Sequence, residues 1–205
     1  MYPETIDAQT KRVLEKIKTL KFVKNFYLAG GTALAIQCGH RKSIDLDFFS
    51  KENFSTAELK EELLKIVSLA VTSEEDGTLN CIIDGVKVSF LRYRYDLLFP
   101  FVEIEGVLLA DERDIAAMKI DAASSRGSKK DFIDIYELLK KYSLAEIIDF
   151  FEKKYSAIQY NKLHILKSLV FFDDAEEEPM PIMLNNVDWK EVKEKITKEV
   201  GELNK

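Results

Sequence analysis

The stretch FYLAGGTALAIQCGHRKSIDLDFF, residues 26–49, constrains the fold more than any other part of the chain. A short apolar run ends on Gly30 and Gly31, strong helix formers follow directly, and SIDLDFFS then reads as a second β-type run. The local order is strand, tight turn, helix, strand. Along the second strand side chains alternate between faces, so Ile44, Leu46 and Phe48 share one face. Asp45 and Asp47 share the other, with Cα atoms roughly 6.5 Å apart. Two carboxylates at that spacing can share a divalent cation, and the cation offsets the cost of bringing two anions together. Mg²⁺ is a hard ion that suits such oxygens together with the phosphates of a nucleotide. Gly30 and Gly31 lack Cβ atoms and allow a close backbone approach, and the helix after them opens with N–H donors able to hold a phosphate. Alone, a Gly-Gly turn is most often only a turn, and an Asp-x-Asp is commonly just solvated. Together, one helix length apart, they predict that the glycines hold phosphates and the aspartates hold the metal.

The chain has 205 residues and 46% apolar content, enough for one substantial domain or two small ones. Its 30 basic against 36 acidic residues give a formal charge of −6, which argues against bulk attraction to nucleic acid or an anionic membrane. A polyanionic partner must meet a local patch. Cys38 and Cys81 both lie in apolar stretches, and the N-terminus MYPETIDAQTKRVLEKI has no apolar signal core. No apolar run approaches the roughly 18 residues of a membrane span. A cytoplasmic protein with reduced thiols is the expectation.

Apolar spacing at Ile6, Val13, Leu14, Ile17 and Leu20 predicts a helix from residue 4 to about 20. A further helix is expected from about Ser55, with Ser55 and Glu58 as a capping box and Leu59, Leu63, Ile66 and Val67 as its stripe. LNCIIDGVKVSFLRY predicts a hairpin turning at Asp84-Gly85, and FVEIEGVLLA one or two short strands around Gly106. After Asp111 the pattern becomes helical, in DERDIAAMKIDAASSR, KKDFIDIYELLKKY and LAEIIDFFEKKY. NKLHILKSLVFF and DWKEVKEKITKEV extend it around the acidic loop DDAEEEPMPIML. The expected division is an α/β core over residues 1–110 and a helical domain over residues 111–205.

Arg126, Lys129 and Lys130 form a basic cluster between two predicted helices, and with Lys119 they could meet a triphosphate or an RNA phosphate. Asp131 also fits Ser128-x-x-Asp131 as a capping pair, and Asp134 falls in a favourable first helical turn. Both readings of Asp131, helix cap and active-site group, stay open. Arg113, Asp114 and Asp121 read as surface charge. Of His40 and Arg41, Arg41 is the better phosphate ligand, because its guanidinium is always charged and bidentate. His164, on an otherwise apolar helix, reads as partly buried. The chain's two histidines, neither near a cysteine pair, give no zinc site. No nucleophile elbow or P-loop occurs. Phe150, Phe151, Phe171, Phe172 and Trp189 read chiefly as core.

YLAGGTALAIQCGHRKSIDLDFF, GVKVSFLRYRYDLL, DIAAMKIDAASSRGSKKDFIDIYELL and FFDDAEEEPMP resemble the AbiEii/AbiGii toxin group, within the DNA polymerase β-like nucleotidyltransferase superfamily. The resemblance covers most of the chain. It implies an α/β fold with a nucleotidyltransferase-like mixed sheet and flanking helices, followed by a C-terminal helical domain. By position, the family's Gly-Gly/Ser turn falls on Gly30, Gly31 and Thr32, and its metal pair on Asp45 and Asp47. Its later motif falls on Lys119, Arg126, Lys130 and Asp131. The implied reaction is Mg²⁺- or Mn²⁺-dependent transfer of NMP from an NTP to an acceptor hydroxyl, such as a tRNA 3′ end, by a toxin beside a separate antitoxin. In that reading Gly31 and Thr32 hold the β and γ phosphates, while Lys119 and Arg126 neutralise the remaining charge. Members of the superfamily commonly place a third carboxylate on a later strand, where VKVSFLRY offers Ser89. Nucleotide binding without transfer, or transfer of a phosphoryl group, are the alternatives.

Overall fold

A computed structural model describes residues 2–203 of the chain. After a 3₁₀ turn at Pro3–Thr5, helix α1 (Ala8–Ile17) starts on Asp7, whose carboxylate accepts the Thr10 N–H at 2.7 Å. This cap, and a second 3₁₀ turn at Lys21–Asn25, make the helix shorter than the predicted span. Strand β1 (Tyr27–Ala29) runs directly into α2 (Gly30–Cys38), and β2 (Leu46–Ser50) returns antiparallel to β1 with Ala29 opposite Asp47. The strand begins later than expected. Asp45 sits just before it, and Ile44 is exposed instead of sharing the core face of Leu46 and Phe48.

Helix α3 (Thr56–Leu64) is capped by Ser55, which accepts the Glu58 N–H, and buries Leu59 and Leu63; Val67 is buried beyond it, and Ile66 is exposed. Strand β3 (Leu69–Glu75) was not predicted. It is a largely exposed edge strand with no buried face, so it lacks the period-two signal. It pairs with β4 (Thr78–Ile83), which turns into β5 (Val86–Arg92) through Asp84 and Gly85 at φ of 47° and 84°. Two positive φ angles are what a two-residue hairpin needs. The turn docks on α1, where Gln9 donates to the Asp84 carbonyl at 2.6 Å and Lys16 pairs with the Asp84 carboxylate at 2.7 Å. A second hairpin joins β6 (Val102–Ile104) to β7 (Val107–Leu109) around Gly106. The seven strands form one mixed sheet in the order β3-β4-β5-β2-β1-β7-β6.

The remainder is helical: α4 (Glu112–Ser125), α5 (Lys129–Leu138), α6 (Leu144–Lys154), α7 (Lys162–Ser168), the short α8 (Asp173–Glu176) within the acidic loop, and α9 (Trp189–Leu203). Buried apolar side chains form one cluster that spans the sheet and these helices, from Val13 to Val200. Helix α2 packs against β1 and β2 on one side and α4 and α5 on the other. Residues 182–184 also cross back to the loop after α2: Lys42 donates to the Ile182 carbonyl at 2.7 Å, and Leu184 to that of His40 at 2.9 Å. Three readings are corrected. His164 and Phe171 are exposed. Asp114 is fully buried, accepting the N–H groups of Leu98 and Phe99 and the Lys154 ammonium at 2.8 Å, so it fixes the loop before β6. No helix among the described residues is long and apolar enough to cross a membrane.

Candidate active site

The direct passage from β1 into α2 leaves the start of the helix uncapped. Its N-cap is Ala29, which has no side-chain acceptor, so the first-turn N–H groups stay open to an anion. Gly30 holds φ at +68°, and a Cβ built on it would stand 2.8 Å from Oδ2 of Asp47. A Cβ on Gly31 would run into the Arg41 guanidinium. Gly30 is therefore favoured by its backbone conformation as well as by the close Asp47 carboxylate, whereas a side chain at Gly31 would have to displace the Arg41 guanidinium. Thr32 is buried, and its hydroxyl donates to the Asp45 carbonyl while lying 2.7 Å from Ser43 Oγ. The threonine thus fastens the start of α2 to the loop that carries Asp45.

Asp45 and Asp47 line a polar cavity of about 90 Å³ with Gly31, Thr32, Arg41 and Lys119. Arg126, Lys130 and Asp131 stand in the same wall. The cations are unevenly committed. Arg41 is buried and grips Asp134 with both sides of its fork, at 2.7 and 2.9 Å, and donates to the Lys42 carbonyl. Lys119, 5% exposed, pairs with Asp131 at 2.8 Å and Asp134 at 2.6 Å. Burial alone would lower the basicity of Arg41 and Lys119; the Asp134 carboxylate, with Asp131 beside it, raises both instead. Arg126 bonds Asp131 yet leaves 67% of its side chain exposed, and Lys130 is exposed. Lys129 turns the other way, to the Glu176 and Glu178 carbonyls, and does not join this cavity.

Asp131 is no helix cap. Ser128 is the N-cap residue but makes no side-chain capping bond; its hydroxyl donates to the Asp131 carboxylate at 2.8 Å. Burial would raise the Asp131 pKa, but Lys119 and Arg126 overcome it and hold it at about 2. Asp134, which also contacts His40 Nε2 at 2.7 Å, is held well below the ordinary carboxylate range despite its burial, by Arg41 and Lys119. In the sequence Asp134 has no role beyond its helical turn, because its burial and its partners on other elements come only with the fold.

No lysine, arginine or histidine among the described residues forms an ion pair with Asp45 or Asp47. Burial and the neighbouring Asp45 charge push the Asp47 carboxyl upward, partly offset by a hydrogen bond from Ser89. Ser89 is the β5 residue in register with Asp47. No group of three or more His, Cys, Asp or Glu side chains among the described residues could hold a metal by itself. Two hard oxygen donors short of positive charge, beside an open helix start, do fit a divalent cation that keeps further ligands from a phosphate or water.

The sequence model described as "Nucleotidyl transferase AbiEii toxin, Type IV TA system" matches residues 12–107 and 92–202. The uncharacterized protein aq_aa25 of Aquifex aeolicus (strain VF5) is 38% identical, over 96% of this chain and 97% of its own. Two solved structures share the fold. A candidate nucleotidyltransferase of H. pylori superposes with a TM-score of 0.60 at 16% identity, over 99% of this chain and 96% of its own. MenT4, a nucleotidyltransferase toxin of Mycobacterium tuberculosis H37Rv, superposes with a TM-score of 0.59 at 12% identity, over 94% and 82%.

Proposed function

The chain belongs to the AbiEii family of nucleotidyltransferase toxins of type IV toxin–antitoxin systems, and from that premise we propose that it transfers NMP from an NTP to the 3′ hydroxyl of a tRNA, with Mg²⁺ as cofactor and a cognate antitoxin encoded separately. The observation that carries this reading is the Asp45–Asp47 pair, left without a basic partner while every nearby cation but the exposed Lys130 is bound to Asp131 or Asp134. Asp45 and Asp47 would hold the metal, Mg²⁺ or Mn²⁺, whose chemistry there would be to offset the charge of the triphosphate and of the leaving pyrophosphate. The open N–H groups at Gly30, Gly31 and Thr32 hold the β and γ phosphates. The Thr32 hydroxyl, bonded to the Asp45 carbonyl, keeps phosphate site and metal site at a fixed separation.

The acceptor hydroxyl gives up its proton to water and attacks the α-phosphorus, the bond to the α–β bridging oxygen breaks, and pyrophosphate departs. Arg126 and Lys130, exposed at the mouth, meet the remaining phosphate charge of the nucleotide or the RNA. Lys119 and Arg41 add positive potential from the wall while their donors are taken up by Asp131 and Asp134. Asp131 at about 2 is a weak base, so it acts as a positioning residue that holds Lys119 and Arg126 in place. In this reading the α/β part supplies the metal ligands and the phosphate-binding turn, and the helical part adds Lys119, Arg126 and Lys130 to the wall of the same cavity.

Incubation of the protein with Mg²⁺, total tRNA and NTPs labelled at the α or, in parallel, at the γ phosphate tests the proposal, and α label is the one expected to enter. Label enters tRNA with the wild type, and Asp45→Asn or Asp47→Asn lowers the rate by about a hundredfold or more, roughly 2.7 kcal/mol of barrier. Label entering only from the γ position makes the protein a phosphotransferase, and binding without incorporation makes it a nucleotide-binding protein.

A further inference from the structure

A second compartment of about 240 Å³, with a different character, shares part of its wall with the polar cavity. Gly31, Asp47, Lys119 and Arg126 stand in the walls of both. The rest of the second compartment is chiefly apolar, with Phe49, Leu91, Tyr93, Met118 and Tyr155 in its lining. Strand periodicity puts part of this wall there: Phe49 follows Asp47 by two residues on β2, and Leu91 follows Ser89 by two on the adjacent β5. The rings are held in fixed positions. Phe49 and Tyr93 meet edge to face at 5.4 Å, the Tyr93 and Tyr155 hydroxyls are 2.6 Å apart, and Tyr95 packs on the edge of Tyr155 at 4.7 Å.

Helix α4 adds Asp121 to this lining. The residue is half-buried, and among the described residues its carboxylate has no hydrogen-bond or ion-pair partner. Burial alone raises its pKa. A partly desolvated carboxylate in an aromatic wall is short of a donor, and a bound ligand can supply one.

We infer that this compartment is a nucleobase pocket, in which a base lies against the Tyr93 ring, backed by the buried Phe49 and Tyr155, and donates an N–H to Asp121. The inference rests on the nucleotidyl-transfer reading. Aromatic surface accepts any base, since every base has a π-face. A carboxylate only accepts hydrogen bonds, so it favours edges with an amino group, those of adenine, cytosine and guanine, over uracil, whose N–H lies between two carbonyls. The base comes either from the NTP or from the acceptor RNA.

Calorimetry in Mg²⁺ separates these cases, using tripolyphosphate, non-hydrolysable analogues of the four NTPs, and short single-stranded RNAs that differ in their 3′ base. Wild type is expected to bind an amino-bearing NTP at least about tenfold more tightly than the UTP analogue. Asp121→Asn, which offers a donor as well as an acceptor, should cut that ratio to about threefold or less without weakening tripolyphosphate. Leu91→Ala, which thins the wall, should weaken the NTP and spare tripolyphosphate. If the NTPs bind alike and the same discrimination appears among the RNAs, again lost in Asp121→Asn, the base is the acceptor's. Discrimination that Asp121→Asn leaves unchanged, or its absence with both ligand sets, overturns the inference. Failure to bind tripolyphosphate, or binding indifferent to Asp45→Asn, instead overturns the nucleotidyl-transfer reading and this inference with it.

Discussion

Gly30 joins backbone conformation to chemistry at a single residue. Its φ of +68° is disfavoured for any side chain, and a Cβ would meet Oδ2 of Asp47 at 2.8 Å. Gly30→Ala should therefore cost about 1–2 kcal/mol of stability from the left-handed backbone, and should also displace the Asp47 carboxylate. Thermal unfolding with calorimetry of an NTP analogue checks both, and a variant that melts lower yet binds normally would separate Asp47 from the nucleotide. Asp131 carries a pH dependence. Its folded pKa of about 2 lies below the ordinary 3.8, so its pairing with Lys119 and Arg126 adds stability that is complete above about pH 4 and lost as the pH falls towards 2. From that shift the contribution is at most about 2 kcal/mol. Urea unfolding at pH 7 and pH 2.5 should show wild type losing more stability on acidification than Asp131→Asn, by about that amount; equal losses would mean that the pairing does not set the acid limb.

At the scale of elements, the β4–β5 hairpin was legible because its turn chemistry is local. Asp84-Gly85 supplies both positive φ angles, and the flanking residues alternate between buried and open. What the turn touches is not local. A Cβ on Gly85 would lie 2.6 Å from Gln9 Nε2 on α1, so Gly85→Ala combines backbone strain with a clash. A loss of about 1–2 kcal/mol is expected from the strain, with a further loss from the clash. Adding Gln9→Ala should remove the second part and leave the first, as a double-mutant cycle by urea unfolding will show. Strand β3 was illegible for the opposite reason. Held by β4 along one edge and exposed along its faces, it carries no buried stripe, and its pairing alone makes it a strand. Capping signals were legible only in part. Ser55 caps α3 as expected, whereas the reciprocal capping box occurs at Ser143 and Glu146 on α6, and the similar Ser128–Asp131 pair belongs to the ion cluster.

Across the whole molecule, the Asp131–Asp134 cluster joins α5 to Lys119 of α4 and to His40 and Arg41 after α2, so both parts of the chain wall the site. Bound nucleotide should accordingly slow amide exchange both over residues 30–47 and over residues 119–130; protection confined to the first segment would show that the helical part does not respond to the ligand. The sequence by itself determined the strand, Gly-Gly turn, helix and Asp-x-Asp order, the Asp84-Gly85 hairpin and the change to helices after residue 110, because each follows from torsional preference or from the period of buried side chains. It also placed Gly30, Gly31, Asp45 and Asp47, which lie close together along the chain. The partners of the charges were decided only by the tertiary structure. Asp114 and Asp134 are indistinguishable from surface acids until the fold buries them beside Lys154, Arg41 and Lys119. Asp121 gains an aromatic setting only when the fold brings α4 to the cavity that β2 and β5 also line. Burial and ion pairing depend on which distant segments meet, and neither periodicity nor propensity carries that information.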